Sequence, residues 1–168
     1  MNFLHNLEPA VSEHWCISRD GDPYMRAVFD RHYSRRRYRD GRSPAKFVGP
    51  GEYMALISRD GDAIFVWRKF IDDAVNAETG ERQTGVNCAV FRNESSIRSS
   101  DMIREAESLA LARWPGSRLY TYVNAQRIKS ANPGFCFKMA GWRRCGVTMG
   151  GLIILEKLRA DCGEAGEK

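Results

Sequence analysis

Residues 86–142 constrain the chain most, because they spell a unit with few ways to fold. Val86-Asn87-Cys88-Ala89-Val90-Phe91 is a short apolar run rich in strand formers, the pattern of a buried strand. A polar stretch follows, ending in Ser99 and Ser100, hydroxyl residues suited to cap a helix. From Asp101 the apolar residues Met102, Ile103, Ala106, Leu109 and Ala110 fall at helical spacing. Arg113-Trp114-Pro115-Gly116 stops that helix: proline lacks the N–H, and glycine accepts the left-handed turn. Arg118-Leu119-Tyr120-Thr121-Tyr122-Val123 is a second strand, and two strands joined through one helix pair in parallel with a right-handed crossover. The helix N-terminus just beyond the first strand offers unpaired N–H groups and positive dipole, a seat for phosphate.

The remaining elements extend this unit into an α/β fold with a mixed sheet. His14-Trp15-Cys16-Ile17-Ser18 is a first strand, and Asp22-Pro23 opens a helix that ends near His32, with Asp as the cap and proline at the first helical position. Two apolar runs, from Tyr53 to Ser58 and from Ala63 to Arg68, flank Arg59-Asp60-Gly61-Asp62, a strong hairpin signal. Ile71 to Thr84 reads as an exposed polar loop. Asn132-Pro133-Gly134 opens a short helix from Phe135 to Ala140, with Asn132 as its cap, and Val147 to Leu158 forms one last strand. The order is β, α, β, β, β, α, β, α, β: one domain over residues 1–158, followed by a polar tail over 159–168.

Between the first helix and the hairpin, six arginines fall in the twelve residues 31–42, interleaved with Tyr33 and Tyr38. Such density needs water or anions close by. It reads either as a solvated loop or as a segment that tracks phosphates while its aromatic rings stack on a base. Arg35, Arg36, Arg37, Tyr38, Arg39, Arg42 and Lys46 are the candidate nucleic-acid contacts. The net charge of +5 agrees with an anionic partner without requiring one. Five scattered cysteines show no zinc-ligand spacing, which argues against a metal or disulfide framework and for reduced thiols in a cytoplasmic protein. No secretory signal opens the chain, and the longest aliphatic run, Leu152-Ile153-Ile154-Leu155, is too short to span a bilayer.

In element order the chain resembles the GNAT acyltransferase superfamily, in which two central strands splay apart and the pantetheine arm of an acyl-CoA enters the gap. In that superfamily the loop before the central helix holds the pyrophosphate. Here the loop spans residues 93–100 and carries serines where the superfamily usually has glycines. The resemblance implies acetyl-CoA or a related acyl-CoA as donor, with Phe91, Arg92, Asn93, Arg98, Ser99, Ser100 and Asn132 as its contacts. Within the superfamily, five stretches are similar to the Mom-like phage DNA-modification proteins. They are His32-Tyr33-Ser34, Phe65-Val66-Trp67-Arg68, Val90-Phe91-Arg92-Asn93-Glu94, Ser99-Ser100, and the span from Tyr122 through Asn124, Ser130 and Asn132-Pro133-Gly134.

That likeness implies transfer of a carbamoylmethyl group to adenine N6 in double-stranded DNA. The N6 lone pair is delocalised, so a site must position the amine, remove its proton and stabilise charge on the electrophile. His32 is the candidate base and Tyr33, beside Ser34, the group that protonates a leaving thiolate or orients the base. Asn124 and Ser130 are candidate hydrogen-bond partners, and Arg68 a site cation. Where the Mom-like pattern has an acidic residue and a tyrosine, this chain has Asn124 and Phe135. An ordinary N-acyltransferase acting on a small amine or a protein, and a DNA-binding protein without chemistry, stay open at this point. Residue types alone leave the donor, any metal and the oligomeric state undetermined.

Overall fold

The computed structural model describes residues 11–32, 39–41, 45–128 and 131–158. They form one seven-stranded mixed sheet and three helices, in the order β1 (Trp15–Ser18), α1 (Pro23–Phe29), β2 (Glu52–Ser58), β3 (Ala63–Lys69), β4 (Val86–Asn93), α2 (Ser99–Arg113), β5 (Leu119–Val123), α3 (Phe135–Met139), β6 (Arg143–Val147) and β7 (Ile153–Lys157). The strands lie in the order β1-β2-β3-β4-β5-β7-β6; β4 and β5 are parallel, and every other neighbouring pair is antiparallel.

Alternation along the central strands sorts the core into two clusters, as a pleated sheet demands. Leu56, Phe65, Trp67 and Cys88 join Met102, Ile103 and Ala106 of α2 and Phe137 of α3. Ala55, Ile57, Ile64 and Val66 join Met25, Val28 and Phe29 of α1. Helix α2 is also pinned by two indoles, Trp15 donating to the Met102 carbonyl at 3.0 Å and Trp67 to the Ala106 carbonyl at 2.9 Å. These bonds let large apolar rings be buried without an orphaned N–H.

Two expectations from the sequence give way. The single strand from Val147 to Leu158 is a hairpin, in which Thr148 N–H bonds the Leu152 carbonyl at 2.8 Å and Gly151 N–H the Thr148 carbonyl at 3.0 Å. Gly151, at φ +90°, is what lets it turn. The stretch from Ile71 to Thr84 is not a plain exposed loop either: Asp72, Asn76 and Gln83 are buried in it. Asn76 Nδ2 donates to the Cys145 carbonyl at 3.1 Å, and its amide sits so close to Gly146 that a Cβ there would lie 2.2 Å from it. Asp22 does cap α1, accepting Tyr24 N–H at 2.8 Å. Ser99 and Ser100 do not cap α2; they are its first two residues, after Arg98, which makes no side-chain cap bond.

Candidate functional site

The parallel pair at the centre of the sheet stops after three residue pairs: Val86 with Leu119, Asn87 with Tyr120, and Cys88 with Thr121. The cause lies on the other side of β4. Against β3, Val90 pairs with Val66 and Cys88 with Trp67, so Ala89 is an extra residue with no partner. A bulge of this kind bends its strand and locally raises the twist. Beyond it, residues 90–93 pair only with β3, while Tyr122 and Val123 pair only with β7. Two strand edges therefore face one another across a gap, with backbone groups that no ladder satisfies.

A cavity occupies the gap on each face of the sheet. One, of 340 Å³, is lined mainly by apolar groups, among them Phe91, Val123, Ile128 and Phe137, together with His32 and Asn132. The other, of 510 Å³, is lined by Arg26, Lys46, Phe47, Arg68, Asp72 and Asn87 among others. Both touch Ala89, Val90 and Tyr122, so the two cavities meet at the bulge.

His32 follows the end of α1 and lines the first cavity. Burial, with the Arg92 guanidinium adding repulsion, pushes its imidazole down to about 4, and a hydrogen bond to the Phe91 backbone works the other way. The ring is therefore neutral at neutral pH, able to take a proton but less basic than a free histidine. Glu94 ties this corner together. It receives Arg31 through both carboxylate oxygens, at 2.6 and 2.7 Å, and Arg92 Nε at 2.7 Å. Those guanidinium bonds hold the Glu94 carboxyl down at about 2.

The serine turn is bonded to itself. Asn93 Nδ2 donates to the Ile97 carbonyl at 2.7 Å and to Ser99 Oγ at 3.0 Å, and Asn93 Oδ1 accepts Ser95 N–H at 2.9 Å. The Asn93 amide is thus engaged in shaping the turn. The N–H groups of Ser99 and Ser100, which open α2, find no acceptor among the described residues. Arg98 is exposed beside them.

Not every candidate converges. Arg68 lies across the sheet from His32, in the second cavity, with Nε donating to the Pro50 carbonyl at 2.7 Å. Asn124 lines neither cavity; its Oδ1 accepts Gln126 N–H at 3.1 Å in a turn after β5. Asn132 lines the first cavity but does not cap α3: its Oδ1 accepts Lys138 Nζ at 2.8 Å, and the cap position is Gly134. Lys46 lines the second cavity, and Arg39 is exposed. Tyr33, Ser34, Arg35, Arg36, Arg37, Tyr38, Arg42 and Ser130 lie outside the described residues.

The sequence reading passes over Asp72, Asn87 and the role of Tyr122. Asp72 is buried and its Oδ2 accepts both the Tyr120 and the Tyr122 hydroxyl at 2.7 Å. Burial, reinforced by that carboxylate, raises both phenols well above the usual tyrosine range, so neither is an acid at neutral pH. The tyrosines at positions 120 and 122 share one strand face, which is the signal that one buried acceptor can serve both. Among the described residues no group of three or more His, Cys, Asp or Glu is placed to hold a metal ion, and no helix is long and apolar enough to cross a membrane. Comparison of the chain with protein-family models, with curated proteins and with solved structures returns no match.

Proposed function

We propose that the chain is a GNAT-like transferase that modifies the exocyclic amine of adenine in DNA, in the manner of the Mom-like proteins it resembles. The observation that carries this reading is the split between β4 and β5, open to a cavity on each face. An acyl-type carrier fits the apolar cavity, where an arm bearing amides can bond, as an added strand would, to the strand-edge groups that neither a ladder nor His32 engages. Phe91, Val123, Ile128 and Phe137 would flank the arm, and the N–H groups of Ser99 and Ser100 at the start of α2, with Arg98, none of them part of either cavity's lining, would be the seat for its phosphates. Such a carrier supplies the activated group.

The acceptor then approaches through the second cavity to the junction at Ala89, Val90 and Tyr122, where the first cavity, lined by His32, begins. Adenine N6 loses one proton as its new bond to carbon forms and the donor's leaving group departs. His32, neutral at neutral pH and part of the first cavity's lining, takes that proton. The arginine-dense stretch supports DNA as the substrate: of the residues that bracket it in sequence, His32 lines one cavity and Lys46 and Phe47 line the other. Cations joined to the site at both ends would hold the phosphates beside an adenine taken out of the stack.

Mass analysis of nucleosides from the DNA of cells expressing the protein tests this. A new adenine species is expected, and His32→Ala should abolish it. Unmodified DNA would overturn the reading. Acylated small amines alongside unmodified DNA would establish the second reading, an N-acyltransferase of a small amine, which the polar wall of the second cavity favours.

A further inference from the structure

Asn87 is 5% exposed, yet only one end of its amide is engaged. Its Nδ2 donates to the Tyr120 carbonyl oxygen at 3.4 Å, an orientation that leaves Oδ1 as an acceptor with no donor among the described residues. A buried acceptor left open is costly and calls for a ligand group or water. Asn87 lines the 510 Å³ cavity, and directly opposite it on β3 stands Arg68, so both side chains share that face.

Arg68 is fixed, and no carboxylate among the described residues forms a salt bridge with it. Its Nε is held by the Pro50 carbonyl at 2.7 Å and its guanidinium lies 3.7 Å over the Phe70 ring. The two terminal amino groups meet no carboxylate among the described residues, and neither does Lys46 on the same wall. Arg26, by contrast, is paired with Asp30 at 2.8 Å. Asp72, bound by two phenols and the Ala74 N–H, supplies the one carboxylate on the wall among the described residues.

We propose that this cavity recognises an anionic amine, a ligand whose carboxylate or phosphate pairs with Arg68 and Lys46 while its N–H donates to Asn87 Oδ1. A fixed guanidinium fork matches a two-oxygen anion, and the open amide oxygen matches a donor. A nucleotide with an exocyclic amine and an amino acid both carry this chemistry. That the bound amine is also the group modified rests on the transferase reading; the binding does not.

Calorimetric titration of the full chain, without any donor present, separates the two. The probes are deoxyadenosine monophosphate against deoxyadenosine, and glutamate against glutarate. In at least one pair the anionic amine should bind ten times more tightly than its partner, and the better pair identifies the source. Arg68→Gln should weaken the anionic amine at least tenfold and leave deoxyadenosine unchanged. Asn87→Leu, close in volume, should erase the preference for glutamate over glutarate or weaken the nucleotide. Arg68→Lys, which keeps the charge but loses the fork, should fall between and guards against a misfolded glutamine variant. No binding by either anionic amine, equal binding within both pairs, or a preference untouched by the Arg68 variants would overturn the proposal, whether or not DNA is modified.

Discussion

Burial places His32 at a pKa of about 4 against an ordinary 6.5, and this has a consequence for folding as well as for proton transfer. The unfolded chain binds a proton on this residue over a pH range where the folded chain does not. The stability this represents is complete above about pH 6.5 and is lost as the pH falls toward 4, at most roughly 3 kcal/mol for a shift of this size. Urea unfolding at pH 7.5 and pH 4.5 should show the drop in the parent chain and a smaller one in His32→Gln. Gly134 makes a second prediction at this scale. Its φ is +75°, and an added Cβ would lie 2.5 Å from Leu155 Cδ1 and 3.4 Å from Val123 Cγ2. Gly134→Ala should therefore cost about 1–3 kcal/mol, seen as a lowered Tm. Both residues were legible in part. The histidine stood out by its chemistry, but nothing in residue type announces how deeply a side chain will be desolvated.

At the scale of elements, β4 holds the decisive irregularity. Cys88 and Phe91 pack with the α2 cluster and Val90 with the α1 cluster, so removing Ala89 would leave each of them on its present face with regular alternation. Deleting Ala89 should straighten β4 and extend its ladder with β5. The variant is expected to keep its circular dichroism spectrum while losing the ability to bind coenzyme A; retained binding would show that the bulge does not open the gap. The strand-helix-strand unit over residues 86–123 was readable because periodicity switches cleanly from two to helical spacing and back. The bulge was not, since one extra alanine in an apolar run leaves alternation ambiguous. The β6–β7 hairpin was hidden because its strands differ in kind. Edge strand β6 carries Arg143 and Arg144, whereas β7 has Ile154 and Leu155 buried, and only the paired glycines mark the join.

Across the whole molecule, a sheet that fails to close at its middle joins two cavities of different character, one mainly apolar and one that mixes apolar with charged groups. Helix α2, reaching over the apolar side, is tied to β7 by a buried group: Glu107 accepts the Trp142 indole and, at 2.8 Å, Lys157 Nζ, which also donates to the Ala140 carbonyl at 2.9 Å. Removing one member would strand a buried charge, so Lys157→Met should cost roughly 3–5 kcal/mol in chemical denaturation. The general layout was legible because a parallel pair inside an antiparallel meander is forced by element order. The polar wall was not, because Asp72 lies in a stretch of loop composition, and its burial depends on phenols 48 and 50 residues away. The most direct test of the account is a crystal structure with coenzyme A. The account predicts the pantetheine arm lying between residues 90–93 and Val123, its amides bonded to the free strand edges. An arm bound elsewhere, or β4 and β5 hydrogen-bonded along their full length with no ligand between them, would contradict it.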